Sequence, residues 1–272
     1  MNARPSHYVI YEALMRVLKP LVRIMLRSGV TYKAFSEVLK AVYVEIAAGE
    51  FRIPGRKQTD SRIAVITGLS RKEVSRVSSL KLPQDLPDPV LHNRAARVLK
   101  GWVSDPDFLD ESGEPRAIMF DEGEKNFSDL VRSHSGDAPP RAVLDELERV
   151  DAVVRNDDGT LKLVARTYVP RLDDLEKINL MGGAVGQLIV TMDHNFWTEN
   201  ERELRFQRVV SNDKLDPDAA AAFHDFAREE SRKFLDTLDQ WLSEHEASKH
   251  RMQMFSGDLQ RVGLGLYYFQ ED

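Results

Sequence analysis

The stretch Asp60–Ser79 (DSRIAVITGLSRKEVSRVSS) leaves little freedom in its local structure. Ala64 offers the small side chain that one helix needs where another crosses it steeply. Gly68, four residues on, tolerates the positive φ of the turn between them. Ser70 and Glu73 have the spacing of a capping box, which starts the second helix at Ser70. Val74 and Val77 recur at i, i+3 and mark its inner side. Arg71, Lys72, Ser75, Arg76, Ser78 and Ser79 are left pointing outward. Guanidinium, ammonium and hydroxyl groups gathered on one helix face are the donors that base edges and phosphates accept.

Charge is polarised in the same sense. Residues 1–82 hold 15 Lys+Arg against 6 Asp+Glu, a net of +9, while residues 83–272 hold 23 against 38, a net of −15. The overall −6 therefore hides a basic third that contains the helical pair, the electrostatic footprint expected of a DNA reader. There are no cysteines in the 272 residues, which excludes disulfides, thiolate metal sites and cysteine nucleophiles. No apolar run is long enough for a membrane span, and the amino terminus lacks a signal-peptide pattern. The expected location is the cytoplasm, with the nucleoid as the working place, and no membrane partner is expected.

Around the helical pair the chain reads as mostly helical. Tyr8–Arg27 is an amphipathic helix with Tyr11, Leu14, Leu18, Leu21 and Met25 on one stripe, and Pro20 should kink or divide it. Ser28-Gly29 closes it, and a second helix is expected over Thr31–Ala48 with Phe35, Val38, Leu39, Val42, Tyr43 and Ile46 facing inward. The connector from Phe51 ends in Arg56, Lys57, Gln58 and Thr59. These residues, with Arg62 just beyond, sit at a helix start where cations and amides favour phosphate. Residues 1–82 thus form a basic domain with a helix-turn-helix. Residues 83–125, with Pro83, Pro87 and Pro89 and a helix from His92 to Trp102, read as a linker and connecting helix.

Residues 126–170 read as helix, turn, helix and hairpin, the last with Asp158-Gly159 at its tip, which makes a winged-helix-like unit. Asp145, Glu146 and Glu148 on its second helix would repel phosphate. Its expected role is protein packing, with DNA contact through Arg155, Lys162 or Arg166 as the alternative. Residues 171–272 are expected to be an α+β oligomerisation or sensing domain. It comprises a helix to about Asn195 containing Gly182, Gly183 and Gly186, a strand over Arg205–Val210, a helix over Asp216–Ser248 and a closing strand over Arg261–Gln270. The glycines are not a phosphate loop, because no Lys-Ser/Thr follows them and no strand precedes them; close helix packing, across a dimer axis for instance, suits them better. The expected fold class is mostly α with small β elements (α+β).

Asp60–Ser79 resembles the helix-turn-helix of bacterial DNA-binding proteins, whose second helix enters the major groove. Over nearly its whole length the chain also resembles an uncharacterised bacterial family with an N-terminal helix-turn-helix. The resemblance rests on Gly29–Lys33, Ser135–Leu144 and Gly265–Phe269, and it implies DNA binding without implying a target or an effector. Scattered histidines and the absence of a nucleophile elbow argue against an enzyme, and no cofactor or metal is expected. The expected function is a homodimeric transcriptional regulator on double-stranded DNA, with room for a small-molecule effector. Arg71, Lys72, Ser75, Arg76 and Ser79 would meet DNA, and Arg56, Lys57, Gln58, Thr59 and Arg62 would meet phosphates. The alternatives are a nucleoid-associated or replication-initiator protein and a protein–protein adaptor that never touches DNA.

Overall fold

The helix after Thr31 carries two apolar faces, one of alanines and one of bulky residues, and the amino-terminal architecture follows from which of them turns inward. The computed structural model describes residues 6–86, 93–165, 172–246 and 259–271. Helix α1 spans Ser6–Arg27 and runs through Pro20 without dividing. A turn at Gly29 (φ +73) leads to α2, Tyr32–Gly49, whose first turn is capped by the Thr31 hydroxyl accepting from the Ala34 amide at 3.4 Å. Ala34, Ala41, Val44 and Ala47 are the buried residues of α2. The last three pack with Ile63 of α3 (Asp60–Thr67) and with Val74 and Val77 of α4 (Arg71–Ser78). Methyl side chains keep that surface low, so two short helices can both lie close against it.

The bulky residues expected to face inward are outside instead. Val38, Leu39, Val42, Tyr43 and Ile46 are exposed, Tyr43 at 59%, and Phe35 is half-buried. A single chain covers one face of α2, and the short helices approach closely only over the small residues. On α1 the expected stripe is likewise split, with Tyr11 and Leu14 exposed and Leu18, Leu21 and Met25 half-buried.

Between α3 and α4 the turn has the geometry that the residue types require. Gly68 is left-handed (φ +74, ψ 3) and its amide donates to the Ala64 carbonyl at 2.9 Å. Ser70 accepts the Glu73 amide on its hydroxyl at 3.2 Å. The reciprocal half of the capping box is not made, because the Glu73 carboxylate turns to Arg76 and Lys40. Ile63, not Ala64, is the fully buried residue of α3; Ala64 packs at the edge of the same cluster.

A second core lies in residues 93–165. It is built from α5 (Arg94–Ser104), a 3-10 turn at Pro106–Phe108, α6 (Phe127–Ser135), α7 (Pro140–Arg149) and the hairpin of β1 (Val153–Arg155) and β2 (Leu161–Leu163). In the hairpin Val153 faces Leu163 and Arg155 faces Leu161, with Gly159 at the tip (φ +83). Ile118 lies on the other edge of β2, exchanging amide bonds with Leu161 at 3.0 and 2.7 Å. The spatial order is therefore the Ile118 segment, β2, β1. Trp102, Phe108 and Ile118 are buried in one cluster with Phe127, Leu144 and Leu161, and the Trp102 indole donates to the Arg116 carbonyl at 3.0 Å. The segment expected to be a linker and connecting helix thus supplies a wall of this core.

The chain divides into two compact units, Met1–Asp174 and Leu175–Asp272. The second holds most of α8 (Leu172–Trp197), a 3-10 turn at Glu201–Glu203 and α9 (Pro217–Glu244). Arg205–Val210 and Arg261–Gln270, expected as strands, form none: among the described residues neither segment has a ladder partner, and a strand exists only by its ladder.

The tightest approach in the second core is at Gly101 of α5, where an added methyl group would meet the His134 ring at 2.3 Å. His134 Nε2 sits 2.9 Å from the carboxylate of Asp105, which caps the 3-10 turn. Gly101→Ala is expected to drive His134 off Asp105 and cost about 1–3 kcal/mol, read as a lower urea midpoint at unchanged m-value. Combined with His134→Ala it should cost less than the sum of the two single changes, since the clash then has no partner.

Candidate nucleic-acid interface

Only part of α4's polar surface is available to a ligand, because one side of it is tied to α2. Arg76 turns toward α2, where its guanidinium reaches Glu37 at 2.5 Å and holds Glu73 with two bonds of 3.0 and 2.7 Å. Lys40 of α2 closes the ring of charges, 2.6 Å from Glu37 and 3.0 Å from Glu73. Hydrogen bonds from Arg76 and then Lys40 pull the Glu73 carboxyl down to about 2. Glu37 is lowered by Lys40 and, against some desolvation, by Arg76. The two carboxylates in turn raise the Arg76 and Lys40 pKa values. Arg76, expected to read bases, is a brace between α2 and α4. Ser79 is also turned back on the chain, capping α4 and donating its hydroxyl to the Arg76 carbonyl at 2.7 Å.

What remains outside is the first half of α4. Arg71, Lys72 and Ser75 are exposed, and their side chains have no hydrogen-bond or ion-pair partner among the described residues. The connector divides in the same way. Gln58 donates to the Ala47 carbonyl at 2.6 Å and accepts from Arg62 Nε at 3.1 Å, while Arg62 also reaches the Phe51 carbonyl at 3.2 Å. Thr59 caps α3, accepting the Arg62 amide at 3.3 Å. Gln58, Thr59 and Arg62, expected as phosphate contacts, fasten the end of α2 to the start of α3. Arg56 and Lys57 are exposed, with side chains unpaired among the described residues.

In the second core several of the basic side chains are engaged, while Arg97 and Lys100 are exposed. Arg141 stacks over the Phe120 ring at 5.3 Å, Arg149 grips Glu146 with two bonds of 2.7 Å, and Arg155 stands 3.9 Å from Glu148. Lys162 is exposed, and Arg166 lies outside the described residues. Among the described residues no three His, Asp or Glu side chains are grouped to hold a metal ion, and no helix is long and apolar enough to cross a membrane.

Sequence reasoning missed Glu37 and Lys40. Their i, i+3 spacing on α2 was readable as a local pair, but their meeting with α4, across 39 residues between Glu37 and Arg76, depends on which face of α2 is buried.

A mostly helical chain with one small hairpin and a basic helical pair is the class of protein defined so far. The chain belongs to a family of unknown function (DUF6502), whose family model matches residues 9–272. No curated protein matches it.

Arg76→Ala should loosen α4 from α2 at a cost of about 1 kcal/mol, the scale of partly exposed ion pairs. Glu73 has a folded pKa below its ordinary 4.5, so the ring's contribution is complete above that value and is lost as pH falls toward about 2. Unfolding midpoints of the parent and the variant should therefore differ at neutral pH and converge on acidification to about 2.

Proposed function

We propose that this protein is a DNA-binding regulator that works as a homodimer and reads double-stranded DNA with the first half of α4. The observation that carries the reading is the exposure of Arg71, Lys72 and Ser75 on one helix, with Arg56 and Lys57 free on the connector before α3, in a segment of net charge +9. The turn at Gly68 and the two caps support taking α3 and α4 as a helix-turn-helix, in which the N-terminal residues of the second helix address base edges. In this reading Arg71 is the base-reading side chain, Lys72 and Ser75 serve bases or phosphates, and Arg56 and Lys57 bind phosphate. Arg76 acts only indirectly, by holding the angle of α4.

The order α5, Ile118 segment, α6, α7, hairpin, with the Ile118 segment beside β2, supports reading residues 93–165 as a winged helix. Arg141, Arg149 and Arg155 are held by Phe120, Glu146 and Glu148, and α7 itself carries Asp145, Glu146 and Glu148, which favours a packing role over a second DNA contact. No catalytic step belongs to the reading, and the nucleoid would be the place of work. Paired half-sites would account for specificity, because one short helix offers little base-reading surface.

The test is DNA titration as a function of salt, joined to genome-wide mapping of bound sites. Log affinity should fall linearly with log salt at about −0.9 per phosphate contact. Lys57→Ala should weaken all sequences alike and reduce the slope by about one, whereas Arg71→Ala should cost about 1–3 kcal/mol and relax preference at one base position. Affinity indifferent to salt would exclude DNA and leave the adaptor reading; continuous coating of the genome would point to an architectural protein.

A further inference from the structure

Not one described side chain of residues 175–272 is buried. About two dozen large apolar side chains there are exposed, among them Trp197 at 75%, Val210 at 78%, Phe206 at 72% and Phe226 at 63%. α8 and α9, of 26 and 28 residues, are not laid along one another. No atom lies within 4 Å of where a side chain on Gly182, Gly183 or Gly186 would begin, apart from the helix's own backbone, so the close approach those residues permit is unused. The segments 205–210 and 261–270 have apolar residues and no ladder partner among the described residues. Helices of this kind owe most of their stability to tertiary packing, and among the described residues little of it is present beyond Tyr268 against Phe223 and His224 of α9.

We infer that residues 175–272 are half of a fold, completed by the same residues of a second copy. Large side chains offer roughly 150–250 Å² each, so half-exposed ones at this number come to about 2,000 Å² of apolar surface per copy. That is several times the roughly 300–600 Å² of the largest patch on an ordinary monomer, and two copies together, at about 4,000 Å², fall within the range of about 2,000–5,000 Å² of total area buried by obligate homodimers. Charge narrows the choice of occupant: the unit holds 18 Asp+Glu against 11 Lys+Arg, which disfavours phosphate-bearing partners such as nucleic acid or an anionic bilayer. Since a second copy carries the same net −7, apolar area and not charge holds the pair together. A second copy supplies two more helices of matched length to cover the apolar faces and two more segments to pair with 205–210 and 261–270. Folding of this unit is then coupled to association.

The inference deepens the dimer of the functional reading but does not need DNA. A dimer that ignores DNA leaves it standing, and a monomer that binds DNA overturns it alone. The test uses full-length protein in sedimentation velocity and thermal unfolding over about a hundredfold dilution, with hydrogen exchange read residue by residue. The expected results are a dimer, a melting temperature that rises with concentration, and amide protection in α8 and α9 that falls on dissociation while α5–α7 stay protected. Phe226→Asp and Trp197→Asp, made singly, should each weaken dimerisation about tenfold or more. A monomer at every concentration, with α8 and α9 protected or not, or a dimer indifferent to both substitutions, overturns it.

Discussion

The low, alanine-lined face of α2 is the constraint on which the amino-terminal structure depends. With Ala41, Val44 and Ala47 inward, α3 and α4 can both rest on one helix, and Ile63, Val74 and Val77 fill the space between. The same choice brings Glu37 and Lys40, one helical turn apart on α2, opposite Glu73 and Arg76 of α4. It also puts Val42, Tyr43 and Ile46 outside. Larger residues at the three inner positions would hold α4 off and break the ring of charges, so packing and electrostatics at this junction stand or fall together.

The ring has a consequence for how the basic third meets a phosphate. Two carboxylates and two cations cancel, so the ring adds no net charge, while Arg56, Lys57, Arg71 and Lys72 outside it are exposed with no partner among the described residues. These four flank the start of α3 and the start of α4. Arg76 gives up a place among the unpaired exposed cations for a fixed helix angle. In the proposed DNA-reading role the angle of so short a helix matters more than one additional contact, since bidentate base contacts depend on geometry.

Local features of this fold were legible in the sequence where residue type alone decides them. Gly68 at positive φ, the cap at Ser70, the inner Val74 and Val77, and the Asp-Gly hairpin tip all follow from the conformational limits of a single residue or a spacing of three or four. Features that depend on choosing between two surfaces were not. α2 has two apolar faces, and size favoured the wrong one, because burying the bulkier face gains more area yet would keep α3 and α4 apart. Arg76 and Ser79 share the outward arc with Arg71 and Lys72 on a helical wheel, and only the position of α2 separates the brace from the free cations. Residues 93–125 read as a connector because, α5 apart, they offer only a short 3-10 turn and isolated β-bridges, and their large residues, Trp102, Phe108 and Ile118, acquire meaning only beside Phe127 and Leu161.

The two expected strands fail for a related reason, and that reason bears on function. Alternating apolar residues in Arg261–Gln270 carry a real preference, but pairing needs a second segment at about 4.7–4.9 Å, and the described part of the chain does not provide one. In the proposed dimer the second copy supplies that segment, so the stability of the acidic unit depends on concentration, and so does the joining of two basic thirds. Linking two weak DNA contacts through one dimer converts the second into an intramolecular event, with an effective concentration set by the assembly. In the proposed role, a helix as short as α4, with Arg56, Lys57, Arg71 and Lys72 exposed near it, gains most from that arrangement. The polarised charge of the chain then fits the proposal as a division of labour, the basic third for phosphate and the acidic unit, which repels it, for joining the two copies.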